Sequence, residues 1–286
     1  MLRSFLICAL AIWVTGCSVP SAPTASLAPA GEAQSVQRAV QSAPYGEGAR
    51  RTLDVYAPSN AEASPVIVFF YGGAWQFGEK ARMAFVGEAL AAQGFVVVVP
   101  DYRVYPEVRF PGFIEDAAAA IKWTEDNIAR YGGDPTRIVL SGHSAGAHIA
   151  TLVALDPSYA AAAGYDRSAV RGVIGMSGPY YHPANFRDAR LCEIFCSAPD
   201  WSTVEPMHFV SADDPPILLL VGDADTAVPP IAPFVEAAEH AGARVEAHVY
   251  PGIDHGGTLM ALLPDRRETA PTLADVTAFA RRVTAR

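Results

Sequence analysis

The chain has 286 residues, 51% of them hydrophobic, and a formal net charge of −9 at pH 7. That length supports one large α/β domain with a sizeable core, and the hydrophobic content excludes a disordered chain. The negative charge, with no Lys/Arg-rich patch, argues against nucleic acid or an anionic membrane surface as a partner.

Met1-Leu2-Arg3 followed by an apolar run from Phe5 to Val14 has the form of a secretory leader. The run is too short to span a bilayer, which takes roughly 20 residues. It ends in Val14-Thr15-Gly16-Cys17, which resembles the lipobox of bacterial lipoproteins. The resemblance implies a signal peptide over residues 1–16 and a lipid anchor on Cys17. An ordinary cleaved signal with a stray cysteine is the alternative. Ser18, where Asp would oppose it, resembles outer-membrane sorting, so the expected location is the periplasmic side of a bacterial outer membrane. Residues 17–44 are rich in Ser, Ala and Pro, including Pro20, Pro23 and Pro29, and read as a flexible tether. The folded domain is then expected over 45–286.

Thr52 to Tyr56 alternates like a strand, and Pro58-Ser59-Asn60 is a turn. Pro65 to Phe70 is a continuous apolar run of β-formers, as a buried parallel strand requires. Tyr71-Gly72-Gly73-Ala74-Trp75 follows at once, and paired glycines directly after a central strand suit a loop whose backbone must approach a ligand. A helix is predicted from about Arg82 to Gln93, closed by Gly94, and a buried strand over Phe95 to Val99. Pro100 to Pro106 is an irregular loop in which Arg103 is expected to tie loops together. Phe113 to Tyr131 carries helical periodicity, with Ile114, Ala117, Ala118, Ile121 and Ile128 inward. Strands alternating with helices imply a parallel sheet with right-handed crossovers.

The next stretch gives the chain its chemistry. A short strand, Arg137 to Leu140, runs into Gly142-His143-Ser144-Ala145-Gly146 and then an Ala/Leu-rich helix. Strand, Gly-x-Ser-x-Gly and helix in that order predict a nucleophile elbow that lifts the Ser144 Oγ above the sheet. The N–H of Ala145, opening the helix, would point at a developing oxyanion.

Tyr71-Gly72-Gly73-Ala74-Trp75, Asp101-Tyr102-Arg103, Gly133-Asp134-Pro135 and Gly142 to Gly146 together resemble the α/β-hydrolases. More narrowly, they resemble the carboxylesterase and lipase branch with a His-Gly-Gly-x-Trp oxyanion loop, which includes feruloyl-esterase-like and kynurenine-formamidase-like enzymes. The resemblance runs from about Arg50 to the C-terminus. It implies a mostly parallel central sheet flanked by helices, and oxyanion donors at the N–H groups of Gly73 and Ala74 beside that of Ala145. Tyr71 stands where the family has histidine, so it either hydrogen-bonds within the loop or lines the substrate pocket with Trp75.

The family order of serine, acid and histidine completes the site. After the apolar strand Ile217 to Val221 come Asp223 and Asp225; Asp225, just ahead of Val228-Pro229, matches the family acid, and Asp223 is expected to hold the turn. After the strand Arg244 to Tyr250, His255 between Asp254 and Gly256-Gly257 is the expected base. His143 and His148 would not face Oγ. His248 falls in a strand, and His182, His208 and His240 read as solvated or structural. No His/Asp/Glu cluster has metal spacing, so neither metal nor cofactor is implied.

About 178–215 is too long for a simple connection and reads as a small cap over the pocket, with Tyr180, Tyr181, Phe186, Phe195 and Trp201. Cys192 and Cys196 within it form a plausible disulfide in an exported protein. The sequence thus predicts a serine hydrolase acting on small carboxylic esters through Ser144, Asp225 and His255. An aryl formamidase or peptidase with the same triad is the alternative, and a non-catalytic envelope protein on the same scaffold a third reading. The sequence leaves the oligomeric state open.

Overall fold

The computed structural model describes residues 35–195, 198 and 200–286. The leader, the lipobox with Cys17 and most of the expected tether lie outside the described residues, as does Cys196. The described residues fall within one unit, Ala33–Arg286.

The core is an eight-stranded sheet: β1 (Val36–Pro44), β2 (Thr52–Pro58), β3 (Ser64–Phe70), β4 (Val96–Pro100), β5 (Gly133–His143), β6 (Val170–Met176), β7 (Ile217–Gly222) and β8 (Val245–Tyr250). Their spatial order is β1-β2-β4-β3-β5-β6-β7-β8. β1 and β2 run antiparallel to their neighbours, and the pairs from β4 through β8 are parallel. Parallel strands are covered on both faces, which is why β4 (Val-Val-Val-Val-Pro) and β7 are apolar throughout and fully buried. Helices α1 (Ala84–Ala91), α2 (Gly112–Asn127), α3 (Ala145–Leu155), α4 (Pro157–Ala163), α5 (Ala189–Phe195), α6 (Ala232–His240), α7 (Gly257–Met260) and α8 (Thr272–Val283) supply the crossovers and cover the sheet. All eleven residues of α3 are buried, as its hydrophobic circumference requires.

Residues 36–44 correct the expected tether: they form β1, paired to β2. The strand escaped a pattern-based reading because two register shifts, between Arg38 and Val40 and between Val40 and Ala43, break its alternation. Its apolar side chains Val36, Ala39, Val40 and Ala43 pack on the core. A buried ion pair docks it further: Lys80 Nζ lies 2.7 Å from Asp54 Oδ1 and 2.9 Å from Ser42 Oγ, and Ser42 N–H donates to Asp54. Lys80 and Asp54 are 6% and 1% exposed. Removing the Asp54 charge would strand Lys80 in the core, a loss of about 3–5 kcal/mol.

The topology reverses between β3 and β5: the chain passes from β3 outward to β4, then crosses back to the other side of β3. Ligands of open α/β sheets bind at such a switch, beyond the carboxyl ends of the strands. Register brings those ends level. Phe70 pairs with Gly142, His143 with Met176, and Gly222 with Tyr250. The loops that leave them carry Tyr71 to Trp75, Ser144, Ser177, Asp225 and His255.

The connection from β6 to β7, expected as a cap, consists of α5 and one-turn 3-10 segments at Ala184–Phe186, Trp201–Thr203 and Pro206–Phe209. Cys192 on α5 is exposed and has no disulfide partner among the described residues; Cys196, its expected partner, lies outside them. Among the described residues no helix is long and apolar enough to cross a membrane.

Candidate active site

Ser144 sits between β5 and α3 with φ 55° and ψ −123°. A non-glycine residue in that region carries strain of about 1–3 kcal/mol, which the surrounding fold must hold. The glycines on either side make the turn possible. A Cβ on Gly142 would lie 2.2 Å from the Gly146 carbonyl oxygen, and one on Gly146 would lie 2.1 Å from that of Phe70. Ser144 N–H donates to the Met176 carbonyl at 2.9 Å, pinning the elbow to β6.

The three residues predicted to act together are brought together. Ser144 Oγ lies 2.9 Å from His255 Nε2, and His255 Nδ1 lies 3.0 and 3.1 Å from the two Asp225 carboxylate oxygens. A carboxylate only accepts, so Nδ1 carries the proton and Nε2 is free to accept that of Ser144. The Asp225 side chain is fully buried, whereas that of His255 is 31% exposed. Burial pushes the Asp225 carboxyl up. Hydrogen bonds from His255, the Ala227 N–H and Ser177, with the charge on His255, outweigh it and hold Asp225 below the ordinary carboxylate range. Asp223 takes the turn-holding place expected of it: its carboxylate accepts the Gly252 N–H at 2.6 Å, clamping the loop after β7 to the loop after β8.

The loop after β3 faces the elbow closely. A Cβ on Gly72 would stand 2.9 Å from that of Ser144. Gly73, Ala74 and Trp75 all have positive φ, at 134°, 51° and 57°, and the Gly73 carbonyl accepts the N–H groups of Gln76 and Phe77 to close the turn. Such a turn aims successive N–H groups to one side, as anion-binding nests do. Ala145, as the first residue of α3, has an N–H with no intrahelical acceptor.

Tyr71 departs from both roles the sequence allowed, because its hydroxyl bonds to residues outside its own loop. It is fully buried and lines no substrate pocket. Its hydroxyl donates to Asp101 Oδ1 at 2.8 Å and accepts from Arg50 at 3.1 Å, and its ring stacks on Tyr102 at 4.6 Å. Tyr102 hydroxyl donates back to the Tyr71 carbonyl at 2.6 Å. The loop after β3 is thus anchored by Tyr71 rather than by a histidine. Arg103 has the tying role expected of it, with its guanidinium on both oxygens of buried Asp116 at 2.7 and 2.9 Å.

Trp75 lies beside the loop in a cluster of rings, edge-on to Phe195 at 5.0 Å and to His148 at 5.1 Å, with His182 at 6.1 Å. His148 holds the connection above it through Nε2 on the Val204 carbonyl, and His143 holds the His255 carbonyl; neither turns towards the Ser144 hydroxyl. His208 bonds Glu205, and His248 bonds Asp275. Trp75 Nε1, His148 Nδ1 and both His182 ring nitrogens are buried without a hydrogen-bond partner among the described residues. Ser177 is a site residue that sequence reasoning missed. It lies next to the elbow by register, with φ 49° and its Oγ 3.0 Å from Thr258 Oγ1. The signal was its position directly after an apolar strand. Among the described residues no group of His, Cys, Asp and Glu is placed to hold a metal ion.

The buried histidines set an acid limit on stability. Burial pushes His143 and His148 down to about 4 and His182 down to about 3. Above about pH 6.5 the rings are neutral in folded and unfolded chains alike. Below it the unfolded chain takes up protons that the buried rings refuse, so stability falls with pH until the folded values are reached. Each ring contributes up to about 1.4 kcal/mol per pH unit in that window, so urea unfolding at pH 5 should give a stability several kcal/mol below that at pH 7. Equal stability at the two pH values would contradict three buried neutral rings.

Comparison with known proteins finds esterases. The family model described as BD-FAE matches residues 53–186. The isoprenylcysteine alpha-carbonyl methylesterase ICME of Arabidopsis thaliana is 32% identical over 234 residues, covering 74% of this chain and 55% of that protein. Esterase LipC of Mycobacterium tuberculosis is 31% identical over 277 residues, covering 84% of this chain and 64% of its own length. Among solved structures, the butyrate-bound thermophilic esterase Est2 of Thermogutta terrifontis superposes with a TM-score of 0.72 at 29% identity, over 85% of this chain and 94% of that one. The chain has the α/β-hydrolase fold and is similar to esterases of the carboxylesterase branch. It spans a little over half the length of the plant methylesterase and under two thirds of LipC.

Proposed function

We propose that this α/β-hydrolase cleaves carboxylic esters with short acyl groups through an acyl-enzyme on Ser144. The observation that carries the reading is the unbroken relay from Ser144 Oγ through His255 to buried Asp225, at 2.9 and 3.0 Å. His255 Nε2 takes the hydroxyl proton as Oγ attacks the ester carbonyl, and Asp225 stabilises the imidazolium that forms. The N–H groups of Gly73, Ala74 and Ala145 receive the oxyanion, one such donor being worth about 10²–10³ in rate. The imidazolium then protonates the leaving alkoxide, and water, activated by the same imidazole, releases the acid.

The strained φ values of Ala74 and Trp75 support this assignment, because strain at that position is held only by a fold that over-determines the loop. The acyl side of the reading is supported by the butyrate-bound neighbour and by the cluster of rings packed around Trp75. A panel of p-nitrophenyl acetate, butyrate, laurate and a feruloyl ester tests it. Acetate and butyrate should show the highest kcat/KM, with laurate lower by about tenfold or more. Hydrolysis of the feruloyl or lauroyl ester at the butyrate rate would overturn the short-acyl reading.

A further inference from the structure

His143 ends β5, directly before Ser144, and is 7% exposed. Its ring reaches the loop after β8, where Nε2 lies 2.8 Å from the His255 carbonyl oxygen. A carbonyl only accepts, so Nε2 carries the proton and Nδ1 does not. The two imidazole rings are 5.0 Å apart. On its other side His143 abuts the oxyanion loop: a Cβ on Gly72 would stand 3.1 Å from His143 Nδ1 and 3.0 Å from its carbonyl oxygen. One side chain is therefore wedged between the loop that would hold the oxyanion and the loop that carries the base.

His255 needs such a hold. Its imidazole bonds to Ser144 and Asp225, and the first of these is broken and remade as the proton moves. The bond from His143 to the His255 backbone is untouched by proton transfer and is part-buried. We propose that His143 is a positioning residue whose Nε2–H fixes the His255 backbone, keeping the imidazole within reach of both Ser144 Oγ and Asp225. The proposal rests on the hydrolase reading of Ser144. Burial keeps the ring uncharged near neutrality, so it supplies one hydrogen bond without adding positive charge beside the imidazolium. The ionisable groups that face it are His255 and Asp225.

Two variants separate the hydrogen bond from the bulk. His143→Gln places an amide N–H near the position of Nε2–H, and His143→Leu keeps volume without a donor. With p-nitrophenyl butyrate the Leu variant should lose on the order of 10²-fold in kcat with KM changed by less than about threefold, the expected cost of a base displaced by about 1 Å. The Gln variant should recover to within about fivefold of the parent, and both should melt near it. A Leu variant that melts like the parent and keeps its kcat, or a folded Gln variant as slow as Leu, overturns the proposal. Should the Leu variant not fold, ¹⁵N–¹H correlation spectra of the unaltered protein decide. His143 should be protonated at Nε2 between about pH 5.5 and 8, and protonation at Nδ1 overturns the proposal. A parent that hydrolyses no ester removes the hydrolase reading and this proposal together, whereas an active parent with an unaffected Leu variant removes this proposal alone.

Discussion

Ser144→Ala should lower kcat for p-nitrophenyl butyrate by about 10⁶ and leave KM within a few-fold. The size follows from what the hydroxyl does. Without it no acyl-enzyme forms, and His255 and Asp225 have no nucleophile to activate. The oxyanion N–H groups and substrate binding alone retain about 10³–10⁴ over the uncatalysed rate. Alanine fits the elbow sterically, since Ser144 already holds φ 55° with a Cβ present and its N–H bond to Met176 is a backbone one. The variant should therefore fold and melt like the parent. Steady-state kinetics with the two proteins at matched purity check the result, and a variant that keeps more than about 1% of the parent rate would refute the assignment.

Asp225→Asn should cost about 10⁴ in kcat while leaving the fold intact. The side chain is fully buried and isosteric with its replacement, and the asparagine carbonyl oxygen can still accept the Ala227 N–H. Its amide N–H₂ then faces His255 Nδ1, which is 3.0 Å from a carboxylate oxygen in the parent. Nδ1 must switch from donor to acceptor, moving the ring proton to Nε2, where it can no longer accept that of Ser144. Loss of the carboxylate also removes the charge that stabilises the imidazolium. Rate measurements with a melting curve check this: a large fall in kcat with an unchanged Tm is expected. A rate within tenfold of the parent would show that the carboxylate is not what orients the base.

The elbow and the positions of Asp225 and His255 were legible because each depends on short-range spacing: an apolar strand, then a fixed turn at its carboxyl end. The same local logic located β2 to β5, β7 and β8. It could not locate β1, whose two register shifts erase the period-two pattern that marks a strand. Nor could it choose a role for Tyr71, because the partners that decide it, Arg50 and Asp101, lie 21 and 30 residues away in the chain. His143 was similarly opaque. Its position beside the nucleophile was plain, but its hydrogen bond reaches a carbonyl 112 residues away, which register alone brings near. Ser177 had a local signal, its position directly after an apolar strand, but its contact with Thr258 lies 81 residues away in the chain. Contacts made across the ends of parallel strands leave no trace in local sequence pattern, and these are the contacts that assemble the site.

A fluorophosphonate probe reports most directly whether Ser144 is an activated nucleophile. Intact-mass and peptide mass spectrometry of the labelled protein should show one phosphonyl group, on Ser144, with none on the Ser144→Ala variant. A folded, unlabelled parent, or a label that persists in the variant, would contradict the assignment of Ser144 as the nucleophile.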